Sequence, residues 1–456
     1  MNSNREMTVA LLSPCGHGNL GDAAIQDAVI GQIRLRIPTA RIVGITLSPK
    51  DTLARHGIRA VTLRAIDSLG YGIPDADRFP EMFDSVFDDV SSSVPIQIPS
   101  ETNSSGWGDN AQPPMGLLRR LTQPIRRPLY PIKQELIHIR YAMRMIEQVD
   151  MVLVSGGGQL DDYWGGSWGH PYVLCKWGWL ATRVNKQFVI MGVGTGTLQN
   201  WLSKFFVKRA LGKASFRSFR DGGSRDLAGA PQLTRDDTIG PDLAFGLDVS
   251  GYLDTSGKGG MSLHVALSPM SYLDPRFWPD KDKQAYDRYI SLLAGLVNTI
   301  TAQGHKVSLF ASDGADERTI TDLKKALQGS PACDKVLTPR VKTVKELLTL
   351  FADADVVVAS RLHGVLLSCV MERPTLALSY DRKVNALMND LGLSQYCREI
   401  ERIEGPALKD LFAQLAKNRM EVRDQLKTRV RAAKENLDRQ FDTVLGPRVA
   451  VETRKS

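Results

Sequence analysis

Ser360-Arg361-Leu362-His363-Gly364 sets a permanent cation two residues from a titratable imidazole, directly after the apolar run Val356-Val357-Val358-Ala359. Arginine offers a planar fork that matches a carboxylate or a phosphate, and histidine exchanges a proton near neutral pH. The pair suits proton chemistry on a small anion. Tyr380-Asp381-Arg382-Lys383 closes the following apolar run. If the two runs are neighbouring strands, Asp381 and Lys383 fall beside the pair, and Lys383 adds a point charge suited to phosphate.

Four further segments carry glycines or charge at the ends of apolar runs. Gly16-His17-Gly18-Asn19-Leu20-Gly21-Asp22 satisfies G-x-G-x-x-G formally. The acidic residue that a dinucleotide loop needs about twenty residues later is missing, because Thr46-Leu47-Ser48-Pro49 occupies that place. Two readings remain: an anion-binding loop that uses backbone N–H groups around Gly18 and Asn19, or a tight turn in which Asp22 caps a helix. Ser155-Gly156-Gly157-Gly158-Gln159-Leu160-Asp161-Asp162 brings backbone close to a ligand at Gly157 and Gly158, at an entropic cost that an ordinary loop avoids. Gly192-Val193-Gly194-Thr195-Gly196-Thr197 adds donors and hydroxyls. Phe219-Arg220-Asp221-Gly222-Gly223-Ser224 delivers Arg220 to a loop, and Gly240-Pro241-Asp242 follows. Tyr163, Trp164, Trp168, Trp177 and Trp179 form an aromatic patch that serves either sugar stacking or core packing.

The elements that must position these loops alternate. Strand signals at Thr8–Ser13, Arg41–Leu47, Met151–Val154 and Phe188–Val193 interleave with helical patterns from Asp22 and across Lys133–Glu147. A second series runs from Leu263–Leu267 through Lys283–Ala302, Val307–Phe310, Lys345–Phe351 and Val356–Ala359 to Thr375–Leu378. Each series predicts a parallel sheet covered by helices, with ligand loops at the strand C-termini. The expected organisation is an α/β domain over residues 1–247 with an irregular insertion near 70–130, a linker at 248–260, a second α/β domain over 261–402, and a C-terminal amphipathic helix and tail over 403–456. The helix should run from Pro406 to about Leu445. At 456 residues with 43% hydrophobic content, two cores are the default. The net charge of +8 fits an acidic substrate, an anionic membrane surface or nucleic acid about equally. Arg119, Arg120, Arg126 and Arg127, set among prolines, read as a solvated basic loop or as a contact for anionic lipid. The five cysteines are scattered without C-x-x-C spacing, so neither a disulfide framework nor a structural zinc site is expected. The polar N-terminus lacks the order of a secretory signal, and no apolar run is long enough to span a bilayer. A cytoplasmic protein is expected, with peripheral attachment at the inner membrane face left open.

Taken in order, Gly18-Asn19-Leu20-Gly21-Asp22, Gly156-Gly157-Gly158, Phe219-Arg220-Asp221 with Ser224, Pro241-Asp242, Ser360-Arg361-Leu362-His363-Gly364 and Pro374 through Tyr380-Asp381-Arg382-Lys383 resemble the polysaccharide pyruvyl transferase family. The resemblance covers roughly residues 8–395 apart from the insertion. It implies two Rossmann-like domains facing a cleft, similar to the GT-B glycosyltransferases. It also implies transfer of the pyruvyl group of phosphoenolpyruvate onto two hydroxyls of one sugar, forming a cyclic ketal and releasing phosphate. The acceptor in such a family is a polysaccharide unit, often lipid-linked. The family's arginine and its R-x-H pair correspond to Arg220, Arg361 and His363. On this reading Arg361 holds the anion, His363 is the general acid, and the base lies among Asp22, Asp161 and Asp221. Arg220, Gly18, Asn19, Gly157, Gly158, Gly194, Thr195, Asp221 and Lys383 are expected to bind substrate. No cofactor, no metal site and no nucleic-acid partner are expected. The same architecture would serve a glycosyltransferase that uses a nucleotide sugar, and a non-catalytic carbohydrate- or anion-binding protein would keep the cleft without turnover.

Overall fold

The computed structural model describes residues 6–16, 18–65, 79–88, 129–163, 165–196, 198–229, 237–253, 262–278 and 280–448. Most of the insertion near 70–130, its Arg119–Arg127 stretch, and residues His17, Trp164 and Thr197 lie outside that set.

The strands come from short runs that are apolar and buried on both faces at the sheet centres, as parallel sheets require, and that are partly exposed at three of the four sheet edges. In the first half they are β1 (Thr8–Leu12), β2 (Arg41–Thr46), β3 (Ala60–Thr62), β4 (Met151–Gly157), β5 (Gln187–Val193), β6 (Phe216–Phe219) and β7 (Thr238–Ile239). They form one seven-stranded sheet in the order β3-β2-β1-β4-β5-β6-β7, parallel throughout. In the second half β8 (His264–Ser268), β9 (Lys306–Leu309), β10 (Val336–Leu337), β11 (Val356–Ala359), β12 (Thr375–Ser379) and β13 (Cys397–Glu399) form a six-stranded sheet in the order β10-β9-β8-β11-β12-β13. The two orders repeat one another. Each reverses direction beside its first strand, at β1/β4 and at β8/β11, where helices leave on opposite faces and open a crevice beyond the strand ends.

Register carries the functional loops to those crevices. Leu12 pairs with both Ile45 and Val154, so the segment after β1 and the glycines ending β4 emerge side by side. Ala359 pairs with Ser268 and Ala377, which brings Arg361 level with the residues that follow β8 and β12. Between β5 and β6 the register slips across Ile190 and Val193. Gly192, at φ +60, makes this kink possible, and its N–H donates to Ser218 Oγ at 2.9 Å. The kink lays Gly194 beneath Arg220.

One continuous apolar core runs from one face of the first sheet into both faces of the second. The other face of the first sheet packs under the helices Leu129–Gln148, His170–Arg183 and Trp201–Leu211. The amphipathic stretch expected from Pro406 to about Leu445 is two helices, Gly405–Lys417 and Arg419–Leu445. The break falls at Asn418, whose side chain turns away to donate to Tyr396 Oη at 3.2 Å. The long second helix returns to the N-terminal half. There Arg36, whose side chain is fully buried, donates from Nε to Asp442 Oδ1 at 2.9 Å and from Nη1 to Gln32 Oε1 at 2.6 Å. Its guanidinium also lies 5.4 Å from the Phe441 ring centroid.

Arg36→Ala removes bonds to the partly exposed Asp442 and the buried Gln32, so about 1–3 kcal/mol of stability should be lost. A lower urea midpoint with unchanged slope would report that loss.

Candidate active site

The helix Leu20–Arg36 starts at the C-terminal end of β1, and its first turn sets the geometry of one wall. Asn19 is the N-cap: its Oδ1 accepts from Gly21 N at 2.9 Å and Asp22 N at 3.1 Å. Asp22 is therefore not the cap, and its carboxylate is released toward the crevice. A β-carbon on Gly157 would lie 3.7 Å from Asp22 Oδ1. Gly156 and Gly157 adopt φ +57 and +73, conformations that admit glycine readily and other residues at a cost. Gly158 faces open space, as does Gly18 apart from Gly314 N at 3.9 Å.

Arg220 leaves β6 and lies flat on Gly194, where any β-carbon would collide with its guanidinium. Its side chain is 7% exposed, with Asp221 Oδ2 and Asp242 Oδ2 each 3.6 Å away. These are ion-pair distances without hydrogen bonds, so the donors of Arg220 remain available. Asp221 is committed to its own helix: Oδ1 accepts from Ser224 N at 2.6 Å and Oδ2 from Ser224 Oγ at 2.8 Å. Thr195 is buried, its N–H donating to Ser224 Oγ at 3.0 Å. Asp161 accepts from Tyr163 N at 2.6 Å and from Gly196 N at 2.9 Å. Of the three carboxylates expected near the chemistry, Asp22 alone has no hydrogen bond from a described residue.

The opposite wall begins at Arg361, the N-cap of the helix Leu362–Val370. Its fork closes on a buried carboxylate: Nε donates to Asp316 Oδ2, and Nη2 donates to Asp316 Oδ1 at 2.9 Å. Asp313 Oδ2 lies 3.6 Å from Nη1. Asp316 in turn accepts from Ser271 N at 2.9 Å. The sequence expectation that Arg361 presents its fork to an anion thus meets a different arrangement, in which that fork is already engaged. Asp381 caps the helix Arg382–Asp390 through Lys383 N at 2.9 Å. The Lys383 ammonium stands 3.5 Å from Asp381 Oδ2 and 5.3 Å from the Tyr380 ring centroid. Arg220, Asp242 and Lys383 line a cavity of about 230 Å³ that runs toward Arg429 of the C-terminal helix.

The walls meet at His363. A β-carbon on Gly21 would collide with the imidazole, so the ring sits directly on the first turn of the opposing helix. Leu20 N donates to Ser312 O at 3.0 Å across the same junction, and Arg382 packs against Gly223. His363 Nε2 is buried with no hydrogen-bond partner among the described residues. Farther out, Tyr163 Oη donates to Asp280 Oδ2 at 2.8 Å, and Trp278 meets Tyr380 edge to face at 6.1 Å. Of the tryptophans expected to cluster, Trp177 is core, while Trp168 and Trp179 are 59% and 44% exposed.

Burial sets the protonation states. It raises the Asp22 carboxyl to about 7, aided by Asp313 and Asp242 and opposed by Arg220 and Lys383. The positive end of the helix pulls the other way but does not overcome desolvation and two nearby acids. Burial lowers His363 to about 4, with Arg220, Lys383 and Arg361 adding to the effect and Asp242 opposing it. Burial also works against the charge on Lys383, yet Tyr380 and Asp381 together hold its ammonium above the usual range. Near neutrality the junction therefore holds a carboxyl poised to give a proton and an imidazole free to accept one.

Ser312, Asp313 and Asp316 were missed as site residues from sequence. The signal was present in Phe310-Ala311-Ser312-Asp313-Gly314, a Ser-Asp-Gly turn after a buried run, with only one glycine to mark it.

The polysaccharide pyruvyl transferase family model matches residues 19–382. Among solved structures, HepE from Anabaena in complex with UDP and glucose superposes with TM-score 0.53 at 12% identity, covering 96% of this chain and 99% of that one. A UDP-N-acetylglucosamine 2-epimerase structure from Listeria monocytogenes gives 0.54 at 10%, covering 98% and 100%. MurG from Acinetobacter baumannii gives 0.50 at 11%, covering 96% and 99%. At these identities the likeness is one of fold: two parallel α/β sheets in the GT-B-like arrangement, with a long C-terminal helix.

The state of Asp22 has a stability signature. Its folded value lies above that of an unfolded chain, so its contribution is fully present below about 4 and is lost as pH rises through about 7. Asp22→Asn should accordingly raise the melting temperature at pH 8 to 9 and change it little at pH 4 to 5, read by thermal unfolding across that range.

Proposed function

Because this chain belongs to the polysaccharide pyruvyl transferase family, we propose that it transfers the pyruvyl group of phosphoenolpyruvate to two hydroxyls of one sugar in a polysaccharide or its lipid-linked precursor, forming a cyclic ketal. The observation that carries this reading is the seating of His363 on Gly21, next to Asp22, with the charges of Arg220 and Lys383 close to both groups. Phosphoenolpyruvate bears a carboxylate and a phosphate. The Arg220 fork suits one and the Lys383 ammonium the other, with the backbone of Gly157 and Gly158 nearby; the Gly194 N–H is engaged by Gly157 O at 2.9 Å. Arg361, bound to Asp316, fixes the wall that carries His363.

In the proposed sequence the Asp22 carboxyl gives its proton to the methylene carbon, and C2 becomes cationic. A sugar hydroxyl attacks C2 while His363 Nε2 takes its proton. The C2–O bond to phosphate then breaks, with the bonding pair leaving on oxygen and the His363 proton passing to the departing phosphate. The second hydroxyl closes the ketal and returns a proton to Asp22. One hydroxyl proton thus leaves on phosphate and the other restores the acid consumed in forming the methyl group. This arrangement gives the acid role to Asp22 and the base role to His363, following the directions in which burial moves the two groups. Trp278 and Tyr380, packed edge to face beside Lys383, suit stacking against the acceptor ring.

Phosphate release from phosphoenolpyruvate, dependent on an extract of lipid-linked oligosaccharides, tests the reading; turnover with nucleotide sugars and none with phosphoenolpyruvate would replace it with glycosyl transfer. Asp22→Asn and His363→Gln should each lower kcat by about 10²–10⁴ with little change in KM. For the wild-type protein kcat/KM should fall below about 4, as His363 gains a proton, and above about 7, as Asp22 loses one.

A further inference from the structure

From Tyr163 to Arg220 the sequence has no Asp or Glu, yet it carries Lys176, Arg183, Lys186, Lys204, Lys208, Arg209, Lys213, Arg217 and Arg220. Two helices of the first sheet's outer layer, His170–Arg183 and Trp201–Leu211, fall within this stretch and pack on one another. Their outer faces are aromatic as well as basic. Trp201 is 75% exposed, Trp168 59%, Trp179 44% and Phe205 43%. Such large apolar side chains on a surface ordinarily mark a contact.

Trp168 and Phe205 are held in place by ring packing. Trp168 and Tyr172 lie 5.3 Å apart between centroids, Trp168 and Phe206 5.6 Å, and Phe205 and Phe206 5.9 Å. The Arg209 guanidinium covers Phe205 at 5.2 Å. Around them Arg183, Lys204, Lys208 and Arg209 are exposed. The acids that touch this layer face elsewhere: Glu135 accepts from Lys176 Nζ at 2.7 Å and Tyr172 Oη at 2.9 Å, and Asp162 accepts from Asn200 N at 3.0 Å. What remains outward is Trp and Phe set among Lys and Arg, the composition that settles at the headgroup level of an anionic bilayer.

We propose that the outer face of the helices His170–Arg183 and Trp201–Leu211 docks on an anionic lipid bilayer. Trp201 and Phe205 enter the headgroup region, while Lys204, Lys208, Arg209 and Arg183 meet lipid phosphates. The chain itself ties this face to the cleft. Gly157 lies at the Asp22 wall and Trp168 in the exposed patch, within one short segment. Gly194 and the helix starting at Trp201 are joined in the same way on the other side. Docking here sets the cleft mouth beside the membrane. Among the described residues no helix is long and apolar enough to cross a membrane, so the contact is peripheral. The proposal concerns where the protein works and stands apart from the identity of its donor.

The test is sedimentation of the full chain with vesicles of phosphatidylcholine alone and of phosphatidylcholine mixed with phosphatidylglycerol. The protein should bind the mixed vesicles, and binding should fall as salt rises. Lys204→Gln with Lys208→Gln should weaken it about thirtyfold, at roughly 1 kcal/mol per charge. Trp201→Ala with Phe205→Ala should weaken it at least about tenfold. All four side chains are exposed, so the fold should persist, and thermal stabilisation by phosphoenolpyruvate should match the wild type in both variants. Equal vesicle binding by wild type and variants, or no binding to either vesicle, overturns the proposal. A wild-type dimer in gel filtration that Trp201→Ala with Phe205→Ala dissociates, without vesicle binding, assigns the face to a second copy and also overturns it.

Discussion

The seating of His363 on Gly21 is the contact on which the rest of the site depends. It joins the crevice of one sheet to that of the other and removes water from both the imidazole and the neighbouring Asp22 carboxyl. Burial then does to each what it does to any ionisable group, penalising the charged form. One group becomes a weak carboxylic acid and the other a neutral imidazole, each moved toward the state that proton transfer requires. Gly21 makes this possible because it lies in a helix first turn, where any side chain would lift the opposing helix away.

Around that contact the protein separates charges that hold structure from charges left available. Arg361 and Asp316 neutralise one another in a bidentate pair, and Asp221, Asp161, Asp381 and Asn19 satisfy N–H groups at helix starts and turns. Arg220 has its neighbouring carboxylates only at ion-pair distance. Lys383 reaches from the opposite wall, and both line the same cavity. This division explains why many polar residues converge here while few are free to meet a ligand. The long C-terminal helix supports it from behind, since Arg36 and Asp442 tie that helix to the helix bearing Asp22.

Much of this was legible in the sequence. Val356–Ala359 and Met151–Val154 are too apolar and too short to be anything but buried strands, so the alternation and the two sheets follow, and the loops at their ends become the place to look. Strands such as Val336–Leu337 and Cys397–Glu399 escaped notice because they lie at sheet edges and are partly exposed, which leaves no apolar run. The site was legible in its residue types and not in its partners. Arg361 reads as an anion fork from sequence because nothing local reveals that the turn at Gly314–Asp316 will lift Asp316 into it. Asp22 reads as a cap until the helix start is known, where Asn19 holds that place. The break at Asn418 was hidden for a related reason: the apolar seam continues through it, and only the Tyr396 hydroxyl gives the side chain somewhere to turn.

The central claim is that this junction protonates an enol carbon and joins it to two hydroxyls. Running the reaction in D2O with phosphoenolpyruvate and lipid-linked oligosaccharides, then examining the product by mass spectrometry and NMR, tests that claim directly. The account predicts a pyruvate ketal whose methyl group carries one deuteron, formed in equal number with released phosphate. A product with no pyruvyl group, or a ketal whose methyl gains no solvent deuteron, would contradict it.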